Sequence, residues 1–264
     1  MKPDSRKEAT VLLSAGRLAL DKMGILPLSI RPSSEIDAYA VQDLLHQQIS
    51  DGGFGELVGH KIGCTTAVMQ SFLDIDNPCA GGVFDSTVRN NSGTFKFNQL
   101  LHPGVECEIA VRLGADLTMT GTPYDIDSVA LAVESVMPAI EVVDDRWLDY
   151  KSIDTPTLIA DDFFGAGCVL GTPIKDWLIT ELPNVKGSMF INDKPVGSGV
   201  GSDIMGHPFK ALAWLANSMS ERGRGLFAGE FVLLGSLVET RWVELGDVVT
   251  IEQVGLGTAT AHFV

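Results

Sequence analysis

The sequence predicts an α+β fold in which a small helical region precedes a mixed β-roll. Helical periodicity dominates the first fifty or so residues, whereas from Leu57 onward the chain is punctuated by glycine and carries short runs of strand character. Helical patterns in this later part do not alternate regularly with the strands, as parallel βαβ units would require. We therefore expect a helical N-terminal region over residues 1–55 and a second domain over residues 56–264.

Two helices are predicted in the N-terminal region. The first covers residues 8–23, where an apolar stripe recurs at helical spacing and Gly24 provides a stop. The second covers residues 34–50. It opens with serine and an acidic first turn, and the glycines after Asp51 end it.

Short strands and a few helices are predicted in the second part of the chain. The expected strands are 57–62, 105–113, 139–143, 188–191, 231–234, 248–254 and 258–263. Helical patterns cover 65–72, 126–137 and 208–222. Asn192 and Asp193 separate two apolar runs and predict a hairpin turn.

The composition excludes several classes of function. Lysine and arginine number 19 against 34 aspartate and glutamate residues, so the formal net charge is −15. Such a surface repels phosphate backbones and anionic lipid, which argues against a nucleic-acid or membrane partner. Because the first residues contain no apolar segment of the signal-peptide type, we expect a cytoplasmic protein.

The cysteines, histidines and glycines lack the common site motifs. The four cysteines form no CxxC pair and the five histidines form no HxxxH pattern, so a disulfide framework or a zinc site is not expected. The chain has no GxGxxG after a strand, no P-loop and no GxSxG elbow. A metal, if bound, would have oxygen ligands.

Two glutamates alternate with apolar residues in the predicted strand 105–113. Side chains alternate between the faces of a strand, so Glu106 and Glu108 emerge side by side on the face opposite Cys107. Two adjacent carboxylates repel each other, and a divalent cation between them would relieve the repulsion. A solvated strand face explains the same pattern.

A third glutamate lies in a nearly continuous apolar run. Glu141 is flanked by such residues on both sides, which predicts a strand buried on both faces and a charge that needs a partner. That partner is either a metal shared with the first two glutamates or an ion pair with Arg146 or Lys61. Lys61 is the single cation of an apolar strand, where it is either an exposed edge residue or a buried ammonium facing anions.

Several blocks of the sequence resemble the 2-keto-4-pentenoate hydratase / 4-oxalocrotonate decarboxylase family of the fumarylacetoacetate-hydrolase-like superfamily. The similarity runs in order along nearly the whole chain, through residues 59–63, 74–78, 103–110, 137–146, 198–202, 206–208, 213–216 and 255–259. The resemblance implies the β-roll or sandwich of the fumarylacetoacetate hydrolase C-terminal domain, and it implies that residues 56–264 form a metal-binding catalytic domain.

The resemblance also implies roles for individual residues. The metal ligands of the family fall on Glu106, Glu108 and Glu141, which would bind Mg²⁺ or Mn²⁺. Lys61 falls on the family's lysine and Asp76 on an acidic residue of the preceding loop, so both are expected to be catalytic. Asp76 is the candidate general acid or base, although Asp74 could take its place.

Residues 198–201 are interpreted in two ways. Ser198 and Gly199 would wrap the substrate with a hydroxyl and backbone amides, or the glycines would only serve a bulge or turn after the hairpin. A second feature departs from the family pattern, because Phe163 and Phe164 replace small polar residues. Either they line the pocket and favour a larger or more apolar distal end of the substrate, or they pack within the fold.

The resemblance implies a hydro-lyase of aromatic meta-cleavage catabolism. The expected reaction adds water to 2-hydroxypenta-2,4-dienoate, or a close homologue, to give a 4-hydroxy-2-oxo acid. The alternatives are a 4-oxalocrotonate-type 2-oxo-3-enedioate decarboxylase, an acylpyruvate-type C–C hydrolase and a non-catalytic partner subunit. A homo-oligomer is expected, with a pathway decarboxylase or aldolase as a further partner.

Overall fold

Two mixed β-sheets form the centre of the fold in the computed structural model, which describes residues 1–73, 75–119 and 121–264. The seven-stranded sheet has the order β2-β1-β10-β5-β6-β7-β3 and the five-stranded sheet the order β4-β12-β11-β8-β9. Strands β1 to β12 are Leu57–Gly63, Cys79–Phe84, Val88–Asn90, Ser92–Phe95, Pro103–Leu113, Val133–Asp144, Gly165–Leu170, Lys186–Ile191, Lys194–Val200, Phe231–Trp242, Val248–Gln253 and Gly257–Phe263. The predicted mixed sandwich is confirmed.

The pairing of the strands is largely antiparallel. Strands β1 and β10, β3 and β7, and β4 and β12 pair in parallel, whereas the other neighbours run antiparallel. The hairpin between β8 and β9 turns at Asn192 and Asp193, whose φ angles of 50° and 61° suit a type I′ turn. The predicted hairpin is therefore confirmed.

Six α-helices pack around the two sheets within the described residues. Helices α1 to α6 are Pro3–Ala19, Glu35–Ile49, Ala67–Leu73, Ile126–Ala130, Thr155–Ala160 and Pro208–Glu221. Helix α1 ends before the predicted residue 23 because Leu20 adopts a left-handed conformation with a φ of 55°. Helix α2 begins where the serine pattern predicts, since the Ser34 hydroxyl accepts a hydrogen bond from the Asp37 N–H.

The predicted helix over residues 126–137 is wrong in its second half. Helix α4 stops at Ala130, and from Val133 the chain forms β6. The reason is tertiary: β6 lies between β5 and β7 and is paired on both edges, so sheet pairing overrides the helical spacing of its apolar residues.

The helical N-terminal region packs on the edge of the seven-stranded sheet. From α2, the Gln42 side-chain amide donates to the Ala80 carbonyl of β2, and the Tyr39 hydroxyl accepts from the Ala80 N–H. The first strand begins at Leu57, and the division into residues 1–55 and 56–264 stays a prediction. In the described part of the chain, none of the helices combines the length and the apolar character that a membrane crossing would need.

The two faces of β5 have different surroundings. Cys107 faces the five-stranded sheet, where the Gln253 side chain of β11 lies 3.6 Å from its sulfur. Because side chains alternate along a strand, Glu106 and Glu108 face the other side of the seven-stranded sheet. On that side lies a separate apolar cluster that includes Ala110 and Ala139, two residues from Glu108 and Glu141 respectively.

Candidate metal centre

Three glutamate carboxylates converge on one face of the seven-stranded sheet. Glu106 of β5 is directly opposite Glu141 of β6, and Glu108 follows two residues along the same face. An oxygen from each carboxylate lies within 4.8 Å of an oxygen from each of the others. Glu108 is 0% exposed and Glu141 is 2% exposed, so a solvated strand face does not describe them.

Strand β10 supplies hydrogen bonds to two of these carboxylates. The Gly235 N–H donates to Glu108 Oε2 at 2.8 Å, and the Thr240 hydroxyl donates to Glu106 Oε1 at 2.5 Å. The register between β10 and β5 shifts around Gly235, whose φ is 117°. A Cβ at this position would lie 2.5 Å from the Thr65 hydroxyl, so the bulge that aims this N–H at Glu108 requires glycine.

The carboxylates are held in an environment that disfavours their charge. Burial and then the charge of Glu141 raise the pKa of Glu106 to about 7. Burial, together with the charges of Glu141 and Glu106, raises the pKa of Glu108 well above its usual range. A site built from mutually repelling buried acids needs a positive charge among them.

Lys61 of β1 provides one such charge. Its ammonium nitrogen lies 3.1 Å from Glu141 Oε1 and donates to the Phe163 carbonyl at 2.8 Å. The residue is 3% exposed. Burial alone would lower the pKa of Lys61, but the charges of Glu141 and Glu106 outweigh burial and raise it. Of the two interpretations of Lys61 from the sequence, an exposed edge residue and a buried ammonium, the structure shows the second. Glu141 forms its ion pair with Lys61 and not with Arg146.

The cluster fits a hard divalent cation. Glu108 Oε1 is buried and has no hydrogen-bond partner among the described residues. Three carboxylates offer more negative charge than the single Lys61 ammonium balances. All the donor atoms are oxygens, which Mg²⁺, Mn²⁺ and Ca²⁺ prefer, and three protein ligands leave positions open for a substrate.

A turn of unusual backbone conformation holds the carbonyl that binds Lys61. Asp162, Phe163 and Phe164 have φ angles of 57°, 47° and 67°, three consecutive left-handed residues without a glycine. Such conformations cost about 1–3 kcal/mol each and persist only where the surroundings enforce them. This turn therefore needs strong anchors.

Buried charges anchor the turn on the N-terminal helices. Arg17 of α1 and His46 of α2 lie 2.7 Å and 2.5 Å from the Asp162 carboxylate, which also accepts from the Gly82 N–H at 3.0 Å. Burial alone would raise the pKa of Asp162, but the neighbouring His46 and Arg17 hold it well below its usual range. Arg146, a second arginine, pairs with Asp161 rather than with Glu141.

Replacing Asp162 by asparagine is expected to lower the free energy of unfolding by about 3 kcal/mol, because it leaves the buried Arg17 without its counter-charge. The folded-state pKa of Asp162 is depressed. The difference in the free energy of unfolding between wild type and variant should therefore have its full size above the pKa of an unfolded carboxyl group, about 4, and should shrink as the pH falls below it. Urea unfolding from pH 3 to pH 7 measures this. Asp127→Asn, at an exposed position, is the control, and a difference independent of pH would contradict the assignment.

Asp76, which is expected to be catalytic, lies on the surface in the described structure. Its side chain is exposed, and within the described contacts it has no hydrogen bond or ion pair to Lys61 or the glutamates. The neighbouring Asn77 amide donates to Glu35 of α2 at 3.2 Å, which holds this loop against the helix and leaves Asp76 outward. Its role in proton transfer stays a prediction, and Asp74 lies outside the described residues.

The structure gives Gly199 a packing function. A Cβ at Gly199 would lie 2.0 Å from the Leu237 carbonyl oxygen, so β9 can approach β10 closely only with glycine there. Ser198 is exposed on β9 and pairs in register with Ser188. No described contact links either residue to the glutamates, and their roles in substrate binding stay predictions.

Three contributions to the site were not inferred from the sequence: the Gly235 N–H, the Thr240 hydroxyl and the Phe163 carbonyl. A glycine inside an apolar strand is a known sign of a bulge, so the Gly235 N–H could have been suspected. The other two depend on strand register and on the turn between α5 and β7, which no local pattern predicts.

Comparisons with known proteins assign the chain to a family. Residues 85–264 match the family described as fumarylacetoacetate (FAA) hydrolase C-terminal, which is more than half of the chain. The chain belongs to this family. The resemblance predicted from the sequence blocks is therefore confirmed.

Named relatives match all or most of the chain. The chain is 34% identical to the 2-keto-4-pentenoate hydratase of Paraburkholderia xenovorans LB400, over 100% of the chain and 96% of that protein. It is 31% identical to a 4-oxalocrotonate decarboxylase of Pseudomonas putida, over 86% of the chain and 85% of that protein.

A solved structure shares the complete fold. The 4-oxalocrotonate decarboxylase from Pseudomonas putida G7, complexed with magnesium and adipate, superposes with a TM-score of 0.92 at 25% identity. The superposition covers 100% of this chain and 99% of that one. The fold thus includes the N-terminal helices as well as the two sheets.

Proposed function

We propose that the protein is a divalent-metal-dependent hydratase that acts on 2-hydroxypenta-2,4-dienoate or a close homologue, in the catabolism of aromatic compounds by meta cleavage. The observation that carries the proposal is the buried Lys61 ammonium beside three converging glutamates. The full-length similarity to a 2-keto-4-pentenoate hydratase supports it.

The reaction adds the elements of water across the substrate. The enol hydroxyl loses its proton while the terminal vinyl carbon, C5, gains one, which gives a 2-oxo-3-enoate. Water then adds its hydroxyl group to C4 and a proton to C3. The product is 4-hydroxy-2-oxopentanoate. These steps develop negative charge on the oxygen next to the substrate carboxylate, and that charge is what the site must stabilise.

Glu106, Glu108 and Glu141 would hold the metal, for which Mg²⁺ or Mn²⁺ is proposed. When bound, such an ion supplies Lewis acidity at the substrate oxygens. A relative of the same fold, the decarboxylase described above, contains magnesium. The protein itself supplies rigid ligands, since Glu108 is oriented by the Gly235 N–H and Glu106 by the Thr240 hydroxyl.

Lys61 would act directly on the substrate. Its ammonium is fixed between the Glu141 carboxylate and the Phe163 carbonyl, so it needs little rearrangement to face the substrate carboxylate or the developing oxyanion. Burial excludes water around this charge and strengthens its attraction for an anion. The net charge of −15 gives no long-range steering, so this local positive charge is essential for substrate capture.

A decarboxylase of a 2-oxo-3-enedioate is the second candidate. It is favoured by the 31% identity to a 4-oxalocrotonate decarboxylase and by the fold shared with the decarboxylase from strain G7. Both reactions begin on a 2-oxo or 2-hydroxy acid that two adjacent oxygens can bind to a metal. The glutamate cluster and Lys61 serve either reaction.

Product analysis separates the two candidates. With Mg²⁺ or Mn²⁺, loss of the ultraviolet absorbance of 2-hydroxypenta-2,4-dienoate is expected, together with formation of 4-hydroxy-2-oxopentanoate and no CO₂. Chelation of the metal should abolish the reaction. Release of CO₂ from 2-oxohex-3-enedioate, with no hydration of the pentadienoate, would instead establish the decarboxylase.

We further propose that the protein is cytoplasmic and forms a homo-oligomer, with a pathway decarboxylase or aldolase as a further partner. Sedimentation of the purified protein, alone and with such an enzyme, tests both forms of association.

A further inference from the structure

A cavity of about 540 Å³ is lined in part by Phe163, whose carbonyl accepts a hydrogen bond from Lys61. The ring of Phe163 also approaches the candidate metal centre, because its centroid lies 5.7 Å from the Lys61 ammonium nitrogen. The volume falls within the range of about 300–1,000 Å³ that is typical of ligand pockets. It is far larger than the terminal vinyl group of a five-carbon substrate requires.

An aromatic row formed by Phe163, Phe164 and Tyr150 lines the cavity. Phe163 and Phe164 meet edge to face, with ring centroids 5.7 Å apart and an interplanar angle of 87°. Phe164 and Tyr150 meet in the same way at 5.8 Å and 89°. Leu73 and Ile75 also line the cavity. The aromatic row is therefore a packed apolar surface that remains open to a ligand.

The backbone presents this row rigidly. Both phenylalanines belong to the left-handed turn that begins at Asp162, and the buried carboxylate of Asp162 is fixed by Arg17 and His46. The same turn places the Phe163 carbonyl on Lys61. Only the Phe163 side chain would therefore lie between the cavity and a substrate whose carboxylate is held at Lys61.

The charges around the cavity disfavour a second carboxylate on the ligand. Glu35 and Asp154 line it, and among its described lining residues Lys151 is the one cation. Lys151 is exposed, so water screens its charge. A second carboxylate placed against the aromatic row would lose its hydration without a buried cation of its own, because Lys61, beside Phe163, would already be engaged by the first carboxylate.

We infer that this chain selects 2-hydroxydienoates whose far end carries an uncharged apolar tail of several carbons, and that Phe163, Phe164 and Tyr150 determine this specificity. The inference rests on the proposed function and adds a substrate class to it. It concerns the tail alone, since Glu106, Glu108 and Glu141 would hold the metal that binds the oxygens at the other end of the substrate.

A chain-length series tests the inference. The substrates are 2-hydroxypenta-, 2-hydroxyhexa- and 2-hydroxyocta-2,4-dienoate and the dicarboxylate 2-hydroxyhexa-2,4-dienedioate. We expect kcat/KM for hydration to rise about fourfold with each added methylene group, the increase expected for burial of such a group. The dicarboxylate should have the lowest value.

Two variants of Phe164 locate the effect. Phe164→Ser should lower the ratio of kcat/KM for the octadienoate to that for the pentadienoate by at least about fivefold, whereas Phe164→Leu should retain most of it. Phe227→Ser, at a half-exposed aromatic outside this cavity, is the matched control and should leave the ratio unchanged. An equal ratio in wild type and Phe164→Ser would overturn the assignment.

Calorimetry with Mg²⁺ gives a readout independent of turnover. The dissociation constant should decrease from 2-oxopentanoate to 2-oxooctanoate and be largest for 2-oxohexanedioate. Affinities and kcat/KM values that do not vary with chain length would overturn the inference, even if the pentadienoate is hydrated. If no dienoate is hydrated, the proposed function fails instead, and the calorimetric series still decides whether the cavity holds an apolar tail.

Discussion

Replacing Glu108 by glutamine is expected to abolish hydration and to weaken metal binding by more than about 100-fold. Removal of a residue that only orients a metal ligand commonly weakens binding by up to about 100-fold, and Glu108 is proposed as a ligand itself. The side chain is 0% exposed and keeps its shape in the variant, so the change removes charge and little else. Steady-state rates and titration with Mn²⁺, followed by electron paramagnetic resonance, measure the two effects.

The metal-free variant should be at least as stable as the metal-free wild type. Burial raises the pKa of Glu108 in the folded state, so the wild type loses stability relative to the variant as the pH rises above the unfolded carboxyl pKa of about 4. Glu134→Gln, at an exposed position of the same strand β6 that carries Glu141, is the matched control. Full activity of Glu108→Gln would refute the ligand assignment, whereas a lower melting temperature without metal would indicate misfolding.

Replacing Lys61 by methionine is expected to lower kcat/KM by about 10²–10³-fold, the range found when one donor to a developing oxyanion is removed. The methionine side chain fills similar space but leaves the substrate carboxylate or oxyanion without a positive partner. Metal affinity should change only slightly, because Lys61 approaches Glu141 without offering a ligand atom to the metal. Lys175→Met removes an exposed, paired ammonium and is the control.

A different result would assign another role to Lys61. If the methionine variant loses metal affinity and activity in parallel, the ammonium acts on the geometry of the glutamates rather than on the substrate. Wild-type kcat/KM would exclude any role in catalysis. Chemical rescue of the smaller Lys61→Ala variant by added alkylamines would restore the charge without the tether and would support the direct role.

The convergence of the three glutamates was largely predictable because strand geometry determines it. Alternation places Glu106 and Glu108 on one face, and the apolar flanks of Glu141 require a buried position and a partner. Lys61 was ambiguous in the sequence, since an edge strand and a buried ion pair both accommodate a lysine in an apolar run. The register between β1, β10, β5 and β6 resolves it, and register is a property of the folded sheet.

The contributions of distant segments were not predictable from local patterns. Arg17 and Asp162 are 145 residues apart, yet their ion pair anchors the turn that holds Lys61. Three left-handed residues without glycine contradict local preference and persist only through such anchors. The prediction of a helix over residues 126–137 was wrong for a related reason. Pairing with β5 on one edge and β7 on the other makes most of its second half part of β6.

The position of the metal itself is the most direct test of the account. Crystals grown with Mn²⁺ and examined by anomalous scattering at the manganese edge should show one strong peak on this face of the sheet. It should lie about 2.0–2.6 Å from an oxygen of each of Glu106, Glu108 and Glu141, with the Lys61 ammonium in the same cavity. A peak elsewhere, or any one of the three carboxylates directed away from the ion, would contradict the three-glutamate centre.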